Sequence, residues 1–72
     1  MPSFERDIRP LFREHDRLEM EFVFDLWSHD DVTIEAENIL ERLEDGTMPC
    51  DDPWDEAWIQ RFRDWIAGGC DP

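Results

Sequence analysis

The chain has 72 residues and a formal net charge of −13, from 20 acidic and 7 basic side chains. This length allows one small domain, residues 1–72, whose core must be well packed if it is to be stable. A surface this acidic repels phosphate backbones and anionic lipid heads, so we expect no direct binding to nucleic acid or to membranes. A basic protein or a cation is the natural electrostatic counterpart, although solubility alone also favours an acidic surface.

Aromatic residues supply most of the core material, with four tryptophans and five phenylalanines. No stretch approaches the ~20 apolar residues of a membrane span, and the N-terminus lacks the pattern of a signal peptide. We therefore expect a cytoplasmic protein in which Cys50 and Cys70 are thiols. Burial of Cys50 as a small apolar residue is favoured over a redox switch formed with Cys70.

The first helix is predicted over residues 5–15, with Asp7 as a plausible cap and Ile8, Leu11 and Phe12 on its inner side. Residues 16–24 are ambiguous, because Met20 alternates with two phenylalanines as in a strand that has no partner. We interpret them as an extended or loosely helical loop whose rings, Phe22 and Phe24, point inward.

The second helix is predicted from Ser28, with Asp31 in a capping-box position, to about Asp45. A kink near Thr33 is expected from three successive β-branched residues. Gly46 should end the helix in the left-handed conformation. The buried stripe of this helix comprises Val32, Ala36, Ile39, Leu40 and Leu43.

The last helix is capped by Asp52 or Asp55 and ended by Gly68 and Gly69. The preceding residues, 50–53, are expected to form a turn. The predicted buried stripe comprises Trp58, Ile59, Phe62, Trp65 and Ile66. These segments predict an all-α domain with three main helices and one or two short ones.

Four segments follow one another in a familiar order: residues 7–12, 39–46, 47–49 and 65–69. They read Asp-Ile-Arg-Pro-Leu-Phe, a helix ending in glycine, Thr-Met-Pro, and Trp-Ile-Ala-Gly-Gly. This order resembles a small cytochrome c domain over nearly the whole chain. The resemblance implies an all-α, cytochrome c-like fold of three to five helices, with Met48 at the position of the methionine haem ligand.

The chain departs from that family at residues 16–20, which read Asp-Arg-Leu-Glu-Met where the family has C-x-x-C-H. Without the two cysteines haem cannot be attached covalently, so the electron-transfer function does not carry over. The resemblance then implies a haem-free relative, without a cofactor, whose former haem space is filled by side chains. A cavity of that size would be too costly to leave empty.

An alternative follows from the same resemblance, because Met20 would replace the histidine ligand opposite Met48. With Cys50 and His15 nearby, the two methionines would form a site for non-covalent haem or Cu(I), which prefers soft sulfur ligands. We favour the simpler interpretation that both methionines pack against aromatic rings.

Neither histidine has a serine or cysteine at a catalytic spacing, so no nucleophile–base pair can be assigned and catalysis is not expected. His15 would end the first helix. His29 falls in the first turn of its helix, where a positive charge is unfavourable, and is expected to be exposed.

The composition therefore predicts a non-catalytic acidic interaction module that docks on a larger basic or cofactor-bearing protein. Trp54 and Trp58 are the predicted anchors, with Trp58 the better candidate for a core residue. The acidic part of the predicted site comprises Glu41, Glu44, Asp51 and Asp52. Two alternatives stay open: a Cu(I) or haem carrier, and an acidic mimic that occupies the nucleic-acid site of another protein.

Overall fold

The computed structural model describes residues 2–48 and 52–72, and every regular element in these two ranges is helical. An N-terminal segment joins a π-helical turn, Phe4–Ile8, to a 3-10 turn, Arg9–Leu11. Four α-helices follow within the described ranges: α1 (Glu14–Met20), α2 (His29–Ile34), α3 (Ala36–Asp45) and α4 (Glu56–Ala67). The predicted small all-α architecture is confirmed. None of these helices is long and apolar enough to cross a membrane.

The helix predicted over residues 5–15 is interrupted. Ser3 caps the N-terminal segment instead of Asp7, whose carboxylate accepts the Ser3 backbone N–H at 2.8 Å. Pro10 has no N–H with which to continue a helix. The backbone of Phe12 is extended, and this separates the N-terminal segment from α1. The apolar residues predicted for the inner side are nevertheless buried: Ile8, Leu11 and Phe12.

Helix α1 begins one residue after Arg13, which Asp16 holds in place. The Asp16 carboxylate accepts the Arg13 backbone N–H at 3.0 Å and pairs with its guanidinium at 2.7 Å. Asp16 is only 4% exposed, and these bonds satisfy the buried charge. Part of the expected loop at residues 16–24 is therefore helical.

A tight turn follows α1, in which the Met20 carbonyl accepts the N–H groups of Val23 at 2.8 Å and Phe24 at 3.0 Å. Side chains alternate between two faces only in extended backbone, so in this turn the two rings expected to point inward have different fates: the expectation is confirmed for Phe24 and wrong for Phe22. Met20 and Phe24 pack against the core, whereas Phe22 is 86% exposed.

Helix α2 begins at the predicted cap, with the Ser28 hydroxyl accepting the Asp31 N–H at 3.3 Å. The break between α2 and α3 falls at Glu35, slightly beyond the kink predicted near Thr33. Gly46 ends α3 with φ 75°, as predicted. The stripe is buried at Val32, Ala36, Ile39 and Leu43, and half-buried at Leu40.

Helix α4 is capped by Asp55, whose carboxylate accepts the Trp58 N–H at 2.9 Å. Ile59, Phe62 and Trp65 are buried as predicted, but Trp58 is 39% exposed. The predicted inner face of α4 is therefore correct at its centre and too wide at its edge.

The described residues share a hydrophobic cluster built around aromatic rings. The Phe62 ring lies 5.4 Å from Trp65, 6.2 Å from Trp54 and 6.4 Å from Phe12, measured between centroids. Phe4 lies 5.8 Å from Trp65 and so joins the N-terminal segment to α4. Partly buried side chains at the margin of this cluster are Met20, Phe24, Trp27, Leu40, Ile66 and Cys70.

Candidate docking surface

The two tryptophans predicted as anchors occupy different environments. Trp54 is 7% exposed, and its ring lies 5.1 Å from Phe12 and 6.2 Å from Phe62. Trp58 meets the Trp54 ring edge-on, at 5.6 Å and 83°. We expected Trp58 to be the core residue of the pair, and this is wrong: Trp54 fills the space beside Phe62 and leaves Trp58 at the edge. A buried ring offers a partner little surface, so Trp54 is a poor anchor.

The described members of the predicted acidic set differ in their ion pairing. Glu41 and Glu44 are both exposed on α3, but the Glu44 carboxylate accepts two N–H groups of Arg63, at 2.8 and 3.0 Å, and so links α3 to α4. Asp52 is 75% exposed and lies 3.8 Å from an arginine guanidinium. Asp51 lies outside the described residues. Among the described members of the predicted set, Glu41 alone forms no ion pair with the rest of the described chain.

The residues of the alternative metal or haem site lie in different surroundings. Met48 is 7% exposed, and Met20 is partly buried against the core. The His15 side chain is 58% exposed in the first turn of α1, 3.4 Å from Glu19, and does not end the first helix. Cys50 lies outside the described residues. Within the ranges that are described, no group of three or more His, Cys, Asp or Glu side chains could hold a metal ion.

His29 is half-buried, contrary to the expected exposure. Its Nε2 donates to the Cys70 carbonyl at 2.6 Å, and its ring lies 5.6 Å from Phe4 and 6.2 Å from Trp65. The imidazole therefore fastens the C-terminal residues to the core. Burial raises the pKa of the Cys70 thiol, which disfavours the thiolate that a redox switch requires. The other predicted thiol, Cys50, is outside the described ranges.

Two arginines, neither of them buried, lie over the ring of Trp27. Arg17 donates to Asp25 at 2.9 Å, and its guanidinium lies 4.8 Å from the centre of the Trp27 ring. Arg9 lies 5.2 Å from the same ring. The hydrogen bond from Arg17, together with that from the Trp27 backbone N–H, lowers the pKa of Asp25. Because the guanidinium groups of Arg9 and Arg17 lie at Trp27, they do not neutralise the carboxylates on the outer face of α3.

A groove of about 530 Å³ lies between α3 and the turn that follows α1; we call it the α3 groove. Its apolar lining comprises Met20, Phe22, Val23, Phe24 and Ile39. Its polar lining comprises Glu35, Asn38, Glu41, Arg42 and Asp45. The groove therefore combines an apolar wall with a rim that carries three carboxylates and one guanidinium.

The exposed part of this wall was missed from the sequence. Phe22 is 86% exposed and Val23 is 58% exposed; Leu18 in α1, which is not part of the groove lining, is 56% exposed. One feature of the sequence could have predicted exposed apolar residues in this region: α1 carries no apolar stripe and cannot bury its few apolar residues by itself. The alternating pattern of residues 20–24 concealed this signal.

No family model, no curated protein and no solved structure matches the chain. The α3 groove, its acidic rim and the exposed Phe22 and Val23 are the features from which a function is inferred.

Proposed function

We propose that this protein is a non-catalytic interaction module that docks, through the α3 groove and its acidic rim, on a larger basic protein. The observation that carries the proposal is that Phe22 and Val23 are exposed beside carboxylates at one groove. Exposed apolar groups rimmed by polar residues mark interaction sites. A few desolvated aromatic anchors supply most of the affinity, while complementary charge speeds encounter and sets specificity.

The rim has unbalanced negative charge. Among the described residues Glu41 and Asp45 form no ion pair, and Glu35 accepts a hydrogen bond from Asn38 at 3.1 Å. Arg42 is the basic residue of the lining. A partner that brings lysine or arginine to this rim would gain attraction without having to break an existing pair.

The proposal includes a haem-free, cytochrome c-like fold and a cytoplasmic location. The order of elements supports the proposed fold: α3 ends at Gly46, a buried Met48 follows, and α4 carries the buried Trp65. Residues 16–20, at the position of the haem attachment motif, lie within α1 and contain no cysteine. Contacts among aromatic rings at Phe12 support the proposal that the interior is filled by side chains.

The test uses the intact chain and the basic protein that co-purifies with it from the native cell. Calorimetric affinity should fall as ionic strength rises. Reversing two rim charges, Glu41→Arg with Asp45→Arg, should weaken binding about tenfold, or roughly 1.4 kcal/mol. The matched control is Glu37→Arg, an exposed position of α3 outside the groove, which should change affinity much less. Affinity that is the same at low and high salt and in both variants would remove the proposal.

A further inference from the structure

We infer that the occupant of the α3 groove is a basic amphipathic helix of the partner. This inference rests on the function proposed above and adds to it the secondary structure and chemistry of the segment that binds. It follows from the length of the groove, from the absence of other binding geometries in the described chain, and from the charge of the rim.

The length of the groove matches a short helix. Its polar rim includes Glu35, at the start of α3, and then Asn38, Arg42 and Asp45 along one side of that helix. These positions recur every three or four residues and so form one continuous stripe. At 1.5 Å per residue the stripe extends for about 15 Å, which is the length of roughly three helical turns.

The other common modes of peptide recognition lack their structural requirements here. Strand addition needs a sheet edge, and the two described ranges contain no strand. Recognition of phosphorylated segments needs an arginine cluster, whereas this rim is acidic. Proline-rich segments dock in aromatic-lined grooves, whereas the aromatic lining here is limited to Phe22 and Phe24. An amphipathic helix needs only an apolar groove that can receive the side chains of its apolar face, at positions i, i+3, i+4 and i+7.

Charge selects a basic helix and excludes a second copy of this chain. Each copy carries a net charge of −13, and pairing two α3 grooves would bring together two rims that each carry three carboxylates and one guanidinium. A basic helix can instead direct lysines to the rim while its apolar side chains contact Met20 and Phe22. The flexible Met20 side chain is suited to accommodating apolar groups of different shapes.

The inference is tested with three synthetic peptides of about 14 residues, capped at both ends. The first has leucines at helical spacing (i, i+3, i+4, i+7) and lysines elsewhere. The second has the same composition in scrambled order, and the third has glutamate in place of lysine. Calorimetry at low ionic strength gives the affinities, and backbone amide NMR gives the location of binding.

We expect the first peptide to bind about tenfold more tightly than the scrambled peptide, the glutamate peptide not to bind, and the amide shifts to centre on Phe22, Val23 and Glu41. Phe22→Ala should weaken the first peptide about tenfold. The Phe22 side chain is 86% exposed, so this variant should fold normally. The matched control is Ile34→Ala, 78% exposed and outside the α3 groove, which should leave affinity unchanged.

The outcomes separate this inference from the proposed function. Equal affinity for the ordered and scrambled lysine peptides, or no binding by either, would overturn the helix inference. The proposed function would then be tested separately, by whether affinity for the native partner falls as ionic strength rises. Self-association that disappears in Phe22→Ala, detected by sedimentation, would identify a second copy as the occupant and overturn the inference. Binding of the glutamate peptide would contradict both proposals.

Discussion

Replacing Trp65 by alanine should remove much of the stability of this fold. The side chain is 0% exposed, and its ring lies 5.4 Å from Phe62 and 5.8 Å from Phe4. Its indole N–H also donates to the Asp71 carbonyl at 2.8 Å. The truncation would therefore leave a cavity between α4 and the N-terminal segment, and it would remove one of the hydrogen bonds that hold the C-terminal residues.

The expected loss is large compared with the total stability. Truncating a buried tryptophan costs about 3–5 kcal/mol. A chain of 72 residues has a total unfolding free energy of about 4–11 kcal/mol, at roughly 0.05–0.15 kcal/mol per residue. Trp58→Ala is the matched control, because it removes the same side chain from the same helix at a position that is 39% exposed. We expect it to cost about 1 kcal/mol.

The measurement is urea denaturation followed by far-ultraviolet circular dichroism, with the slopes compared as a check on two-state unfolding. If Trp65→Ala is too unstable to measure, Trp65→Phe retains much of the ring and removes the hydrogen bond to Asp71, at a cost of about 1–3 kcal/mol. A loss below about 1 kcal/mol for Trp65→Ala, or a larger loss for Trp58→Ala, would show that the inner face of α4 is wrongly assigned.

Two further predictions concern pH and haem. The pKa of Asp25 is lowered in the folded protein, so its carboxylate stabilises the fold at pH values above about 4, the pKa of an aspartate in the unfolded chain. This contribution is lost as the pH falls through the pKa of Asp25 in the folded protein. Asp25→Asn should therefore reduce stability at neutral pH and flatten its decline in acid, and identical acid unfolding curves for the two proteins would contradict this role. Because residues 16–20 contain no cysteine, the purified protein should give no thioether haem in a pyridine haemochrome spectrum, and stoichiometric haem or Cu(I) lost in Met48→Leu would instead support a carrier.

The local features of this fold could be predicted from the sequence. The cap at Ser28 and the stop at Gly46 were predicted, and Asp55 was one of the two caps predicted for α4. All three depend on hydrogen bonds and backbone conformations within one turn. The burial of Phe62 and Trp65 follows from helical periodicity, because residues three or four apart share a face. These features were predictable because each depends on neighbours in the chain.

Tertiary packing decided the candidate site. Whether Trp54 or Trp58 enters the core depends on which ring fills the space beside residues that are distant in sequence, and His29 is half-buried because it bonds the Cys70 carbonyl. Phe22 is exposed because the chain turns after α1 instead of continuing as an extended segment. The α3 groove exists only where that turn meets α3. Pattern within a segment determines which faces are apolar, but the arrangement of segments determines which apolar faces are covered.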